Sequence, residues 1–211
     1  MESTSLNHSE QIHSLIQQFR FKDALTVLNQ LLYSKPVNPI WYGYRTIIAS
    51  EMHRKEELIL LHRIIQNILP NSSQALLAKA LLPGAEIEEA EHVLQFACEI
   101  NPANPYLYYL LGKNYWMQSL LDQAVKEFSQ CLTLDRYFVL ALLLRADCYS
   151  RLGSHTNAFR DYHNSWCLSF SANRKHLRTC IAREFKAMVK IETNLKEKIS
   201  EKDIDLFFSN F

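Results

Sequence analysis

Two pairs of residues are spaced as metal chemistry would want them: His163 with Cys167, and His176 with Cys180. Four positions apart on a helix, an imidazole and a thiolate fall on one face and can share an ion. Each pair brings only two of the four ligands that a closed zinc site takes, so ordinary helical neighbours are the simpler reading. Asp147 and Arg151 are also four apart and read as a helix ion pair. Cys131 and Cys148 fall at or beside places where the chain needs a small buried residue, and nothing supplies a base to activate either. The four glycines (Gly43, Gly84, Gly112, Gly153) make no phosphate-binding loop, and there is no CxxC and no zincin-type His-Glu pairing. The sequence therefore reads as a non-enzyme, with no cofactor and no metal.

The elements that carry these residues recur with a step of about 34. Tyr108, Leu111, Gly112, Tyr115, Ala124, Phe128 and Cys131 are followed, one step on, by Leu142, Ala146, Tyr149, Ala158, Tyr162 and Ser165. Earlier copies hold Leu77, Ala78, Leu81, Ala90, Leu94 and Ala97; then Trp41, Tyr44, Ile48, Leu58, Leu61 and Ile64; then Ile12, Leu15, Ala24, Leu28 and Leu31. Units begin near residues 5, 39, 71, 105, 139 and 173, each a helix pair, with small residues at close crossings and large ones interdigitating. Pro36, Pro39, Pro70, Pro102 and Pro105 stand between units, where they break helices. Asp122 and Asn157 are expected to cap second helices. The expected fold class is all-α: a solenoid of about five helix pairs over residues 1–199. Its end is capped by a helix from Arg174 to about Lys198, with the apolar stripe Leu177, Ile181, Phe185, Met188, Ile191 and Leu195. An apolar tail, 200–211, follows.

Composition narrows the partners. The chain has 211 residues, 48% of them hydrophobic, and a net charge of +1, which gives no general nucleic-acid footprint. No apolar run is long enough to span a membrane, and Met1–Ser9 is too polar for a signal peptide. Five cysteines at irregular spacing argue for a reducing compartment, cytoplasmic or nuclear.

These residues resemble the tetratricopeptide repeat (TPR) family. Tyr108, Leu111-Gly112, Tyr115, Ala124, Phe128 and Cys131 fill its pattern, with Arg136 where the family has proline. The resemblance implies a right-handed superhelix whose first helices line a concave groove that receives peptides or helices. Carried over, the groove residues are Tyr106, Tyr109, Leu110, Lys113, Trp116 and Met117, then Leu140, Leu143, Leu144, Asp147 and Arg151, with Tyr44, Ile47, Leu76 and Lys79 before them. Two readings stand: an open apolar floor suited to an amphipathic helix, or side chains buried by the solenoid's own turn. The carboxylate clamp of chaperone-binding members is not supplied: Asn114 is one place off, and Tyr44 and Leu144 hold inward positions. A weaker similarity, at Phe21–Leu25 and Leu76–Lys79, is to the TPR subunits of the anaphase-promoting complex.

The expected role is a protein-interaction adaptor or scaffold. Membership of a large assembly such as that ubiquitin ligase is one alternative. RNA contact through Arg174, Lys175, His176, Arg178, Arg183, Lys186 and Lys190 is another. Ile12, Leu15, Ile16 and Phe19 at an uncapped first unit point to a homodimer or larger complex. The tail, with Ile204, Leu206, Phe207, Phe208 and Phe211, either folds back or docks on a partner.

Overall fold

A computed structural model describes residues 2–17, 20–34, 38–70, 72–170 and 181–183. Among these, ten helices run α1 (Glu2–Gln17), α2 (Phe21–Ser34), α3 (Pro39–Glu51), α4 (Lys55–Ile68), α5 (Ser73–Ala80), α6 (Ile87–Ile100), α7 (Pro105–Met117), α8 (Leu121–Leu134), α9 (Val139–Arg151) and α10 (His155–Phe170). The fold is all-α, and successive helices pack as antiparallel pairs along a solenoid. Apart from residues 181–183, whose Ile181 is buried, the expected C-terminal capping helix lies outside the described residues, as do the tail, Cys180 and all of the basic run except Arg183.

Packing follows from a few offsets. In every second helix of a pair but one, apolar residues three and seven places past the start face inward: Ala24 and Leu28, Ala90 and Leu94, Ala124 and Phe128, Ala158 and Tyr162. The facing first helix supplies small residues, and the closest approach is at Gly112, where an added Cβ would stand 2.8 Å from the Phe128 ring. Only glycine lets that ring sit against the backbone. Arg145 on α9 holds α10 through a bidentate pair with Asp161 (2.6 and 3.0 Å), and also donates to Ser129 on α8. Asp161 is fully buried, and only this fork of charge-assisted bonds makes that burial tolerable.

Helix starts and stops have local causes. Asn38 and Asn104 cap α3 and α7, their Oδ1 atoms accepting from Ile40 N and Tyr106 N, each with proline in the first turn. Ser72 caps α5 through Ala75 N. Asp122 is not a cap: Leu120 holds that place without a side-chain bond, and Asp122 sits in the first turn of α8, where its charge suits the helix dipole. Asn157 likewise lies inside α10, its Nδ2 donating to Ser154 Oγ. Turns within four pairs each place one residue at positive φ: His53, Gly84, Ser119 and Gly153.

The N-terminal end also departs from expectation. Ile12 and Ile16 are buried in the same core as Leu28, Trp41 and Tyr106, so neither is an exposed face for a second copy. In unit 2 Leu58 and Leu61 are buried as expected, but Ile65, ten places into α4, is the buried residue where Ile64 was expected. Finally, α5 has 8 residues where α3, α7 and α9 have 13, so it is roughly 7–8 Å shorter.

Candidate concave interaction site

The first helices of the pairs (α1, α3, α5, α7, α9) bring their inward residues together in two zones. One is an open cleft of about 290 Å³ between the N-terminal halves of α3, α5 and α7. Its walls are Ile40, Gly43, Tyr44 and Ile47 from α3, Ser73, Gln74 and Leu77 from α5, and Pro105, Tyr106 and Leu107 from α7. His13 of α1 and Asn101, Ala103 and Asn104 of the α6–α7 turn complete it. The repeated Asn-Pro starts explain the geometry: each fixes a first turn so that the residue after proline, Ile40 or Tyr106, faces the cleft.

The other zone is a polar chain at the opposite ends of these helices. Because α5 stops at Ala80, the C-terminal end of α3 reaches α7 directly. Tyr109 and Lys113 both donate to Glu51 Oε1 at 3.4 Å. Trp116 Nε1 donates to Asp147 Oδ2 at 2.6 Å, Arg151 stands 3.8 Å from the same oxygen, and Arg151 donates to Ser119 Oγ.

The groove residues expected from sequence divide accordingly. Tyr106, Tyr109 and Leu110 are buried, and Ile47 with them. The wedge is Phe138, just before α9, whose ring lies 4.9 Å from Tyr106 and 5.0 Å from Tyr109. Tyr109 and Leu110 thus lie under the solenoid's own side chains, whereas Tyr106 and Ile47, though buried, still border the cleft. Leu143 packs with Val139, Ala146, Tyr162, Trp166 and Ile181 toward the following unit, away from the cleft. Leu140, Leu144 and Leu76 are half-buried against the main core. Tyr44, Lys113, Trp116 and Asp147 are half-buried, and Met117 and Arg151 are exposed. Lys79 pairs with Glu89 at 2.8 Å. Only Tyr44, Ile47 and Tyr106 of the expected set line the cleft.

Sequence reasoning missed Glu51, Ser9, His13, Asp135 and Phe138. Glu51 was findable: it stands twelve places after Pro39, as Met117 does after Pro105 and Arg151 after Val139. The others meet the groove only because the superhelix curls tightly. Ser9 and Tyr44 share a hydrogen bond of 2.8 Å, and His13 Nε2 lies 2.8 Å from Asp135 Oδ2 across 122 residues. The His13 ring also stands edge-on to Tyr106 at 5.5 Å. Burial alone would raise the Asp135 carboxyl, but bonds from His13 and Tyr137 N outweigh it and hold the group below the usual carboxylate range. Burial, aided by Tyr44 and the acids Asp135 and Glu51, keeps the Tyr106 hydroxyl protonated far beyond neutral pH.

Burial pushes the Cys98 and Cys148 thiols up to about 12, and Cys131 higher still, the reverse of an activated nucleophile. Cys167 Sγ lies 3.7 Å from His163 Nε2, yet no group of three His, Cys, Asp or Glu gathers among the described residues. None of the described helices is long and apolar enough to cross a membrane.

Comparison with known proteins locates the architecture. Residues 105–138 match the family model described as Tetratricopeptide repeat. No curated protein matches the sequence. Among solved structures, TTC0263, a thermophilic TPR protein of Thermus thermophilus, is 17% identical with a TM-score of 0.58, covering 87% of this chain and 98% of that one. The APC/C Cut9-Hcn1 hetero-tetramer supplies a chain with 16% identity and a TM-score of 0.67, over 95% of this chain but 44% of that chain. A MamA double mutant gives 18% and 0.50, over 78% and 93%. At these identities the likeness is one of fold.

Proposed function

We propose that this chain, a member of the tetratricopeptide-repeat family, is a non-enzymatic adaptor that holds a segment of a partner protein on its concave face. The fold is in general a scaffold for protein–protein interaction. One observation carries the siting: along the concave helices the floor at Tyr109 and Leu110 is covered, while the cleft bounded by Ile40, Tyr44, Gln74 and Tyr106 is open. Concave, partly apolar clefts with a few polar groups are where ligands seat. Ile40, 48% exposed at the rim, is the apolar contact an incoming segment meets first.

The test is affinity purification of the tagged chain beside an Ile40→Glu, Gln74→Arg variant, with both melting cooperatively. Partners lost only by the variant support the cleft. Partners retained in full remove it. Substituting Tyr109 or Leu110 would not serve, because both are buried and their loss damages the core. A subunit role in a larger assembly, the second reading, predicts a complex far larger than the chain in size-exclusion of native extracts. Binding through the ends would persist in the cleft variant.

A further inference from the structure

We infer that the outer face of α6 is a second interaction surface, separate from the cleft, which takes a basic amphipathic helix of a partner protein. The first observation is a departure from the repeat. Nine places past the start of α2, α8 and α10 stand Gln30, Gln130 and Asn164, all exposed, as suits a side chain turned to solvent. In α6 that position is Phe96, 53% exposed, and Ile100, one turn further on, is 45% exposed. Both project away from the buried line of Ala90, Leu94 and Ala97 that holds α6 to the core. An apolar pair left in water along an outer helix face is what a partner helix covers.

The second observation fixes the partner's charge. Between Lys79 and Lys113 the sequence has five Glu and no Lys, Arg or Asp. Glu89 is answered by Lys79 at 2.8 Å, and Glu91 accepts from Tyr115 and Gln118 at 3.2 Å. Glu86, Glu88 and Glu99 are exposed and form no ion pair among the described residues. Glu127 of α8 adds a carboxylate with little compensation. Its side chain is 14% exposed, and the cation beside it, Lys126 Nζ, stands 3.9 Å off on a side chain turned to water. Burial raises the Glu127 carboxyl. Burial, then the charges of Glu127 and Glu99, pushes the neighbouring Cys98 thiol up to about 12, so both acids stand near it. From Glu88 to Glu99 is about 16 Å along the helix. A helix laid there brings Lys or Arg near its two ends to these acids, with an apolar residue between them over Phe96. An acidic segment or a phosphate backbone meets only like charge.

A displayed library of helical peptides, panned on the full chain, tests this. Glutamine is what α2 and α8 carry at the Phe96 place, so Phe96→Gln should melt as the wild type does. The expected pool carries Lys or Arg beside an apolar stripe. A synthetic peptide from it should bind Phe96→Gln at least tenfold more weakly. The double variant Glu88→Gln, Glu99→Gln should bind it about fivefold more weakly at low salt, with the difference gone at about 0.5 M salt. The cleft variant Ile40→Glu, Gln74→Arg should bind it as the wild type does, which separates failure of this surface from failure of the cleft. Enrichment of acidic or uncharged helices overturns the inference, as does equal binding by Phe96→Gln, or no enrichment at all. In light scattering, a wild-type dimer that Phe96→Gln dissolves would give the face to a second copy and overturn it too.

Discussion

Seven places into α8 stands Phe128, fully buried against a glycine; seven places into α4 the same position is held by His62, half-buried. The contrast extends through the two halves. From α7 to α10 the first helices have full length, Gly112 and Ala146 receive Phe128 and Tyr162, and Arg145 clamps Asp161. From α1 to α6 one first helix is cut to 8 residues, and a half-buried histidine, His62, takes the place that leucine, phenylalanine or tyrosine holds in the other second helices. The regular half is closely packed and tied across its helices. The irregular half is where the chain curls, bringing Glu51 to α7 and His13 to Asp135, and where most of the open cleft's walls come from. In a solenoid, neighbouring interfaces sum nearly independently, so local irregularity can shape a site without undoing the stack.

The largest effect should come from breaking the regular half. Asp161→Ala leaves the Arg145 guanidinium partly buried and removes the carboxylate that accepts two of its three hydrogen bonds. The retained bond to Ser129 and the Tyr149 ring at 5.8 Å soften the loss, so about 3 kcal/mol is expected, at the low end for a broken buried pair. Denaturant unfolding should show it as a fall in midpoint. A loss under about 1 kcal/mol would mean that the clamp is not what holds α9 to α10.

A smaller effect, of opposite sign, should come from repairing the irregular half. Among the described residues His62 Nδ1 is buried without a partner, and leucine is what α2 and α6 carry at that place. His62→Leu should add about 1 kcal/mol at pH 7. Burial first, then the Lys79 charge, lowers the His62 pKa below 6.5. As pH falls through about 6.5 the unfolded chain takes up a proton that the folded chain resists, so the wild type loses stability. The variant has no such group, and the gap between the two melting temperatures should widen from pH 7.5 to pH 5.5. A constant gap would show that His62 is not desolvated.

How much of this was legible follows from what each feature depends on. The all-α solenoid depends on contacts within one repeat or between neighbours, so Gly112 with Phe128, and the prolines between units, reveal it in the sequence. The site depends on contacts across many repeats. Tyr106 carries the right residue type at an inward position, yet its fate is set by Phe138 at the far end of its own repeat and His13 from three units back. Nothing in a 34-residue pattern encodes curl, which depends here on the shortening of α5. Glu51 was the exception, recoverable by extending the twelve-place offset to the second unit.

The finest discrimination lies in the turns. His53 and Ser119 both sit at positive φ (55° and 62°), a conformation that carries a penalty for any residue with a Cβ. Glycine removes the penalty but also loosens the unfolded chain, so the net gain is about 0.5 kcal/mol. The two sites should not respond equally. His53 is exposed, and glycine there forfeits little. Ser119 Oγ accepts from Arg151 at 3.1 Å, tying the α7–α8 turn to α9, and Ser119→Gly gives that bond up. His53→Gly should therefore raise the melting temperature measurably, and Ser119→Gly by less or not at all. Adding Arg151→Ala to both variants settles the cause: it should equalise them if the bond to Ser119 is the difference. If they stay unequal, the two turns differ in backbone strain, and the Arg151–Ser119 bond is not what separates them.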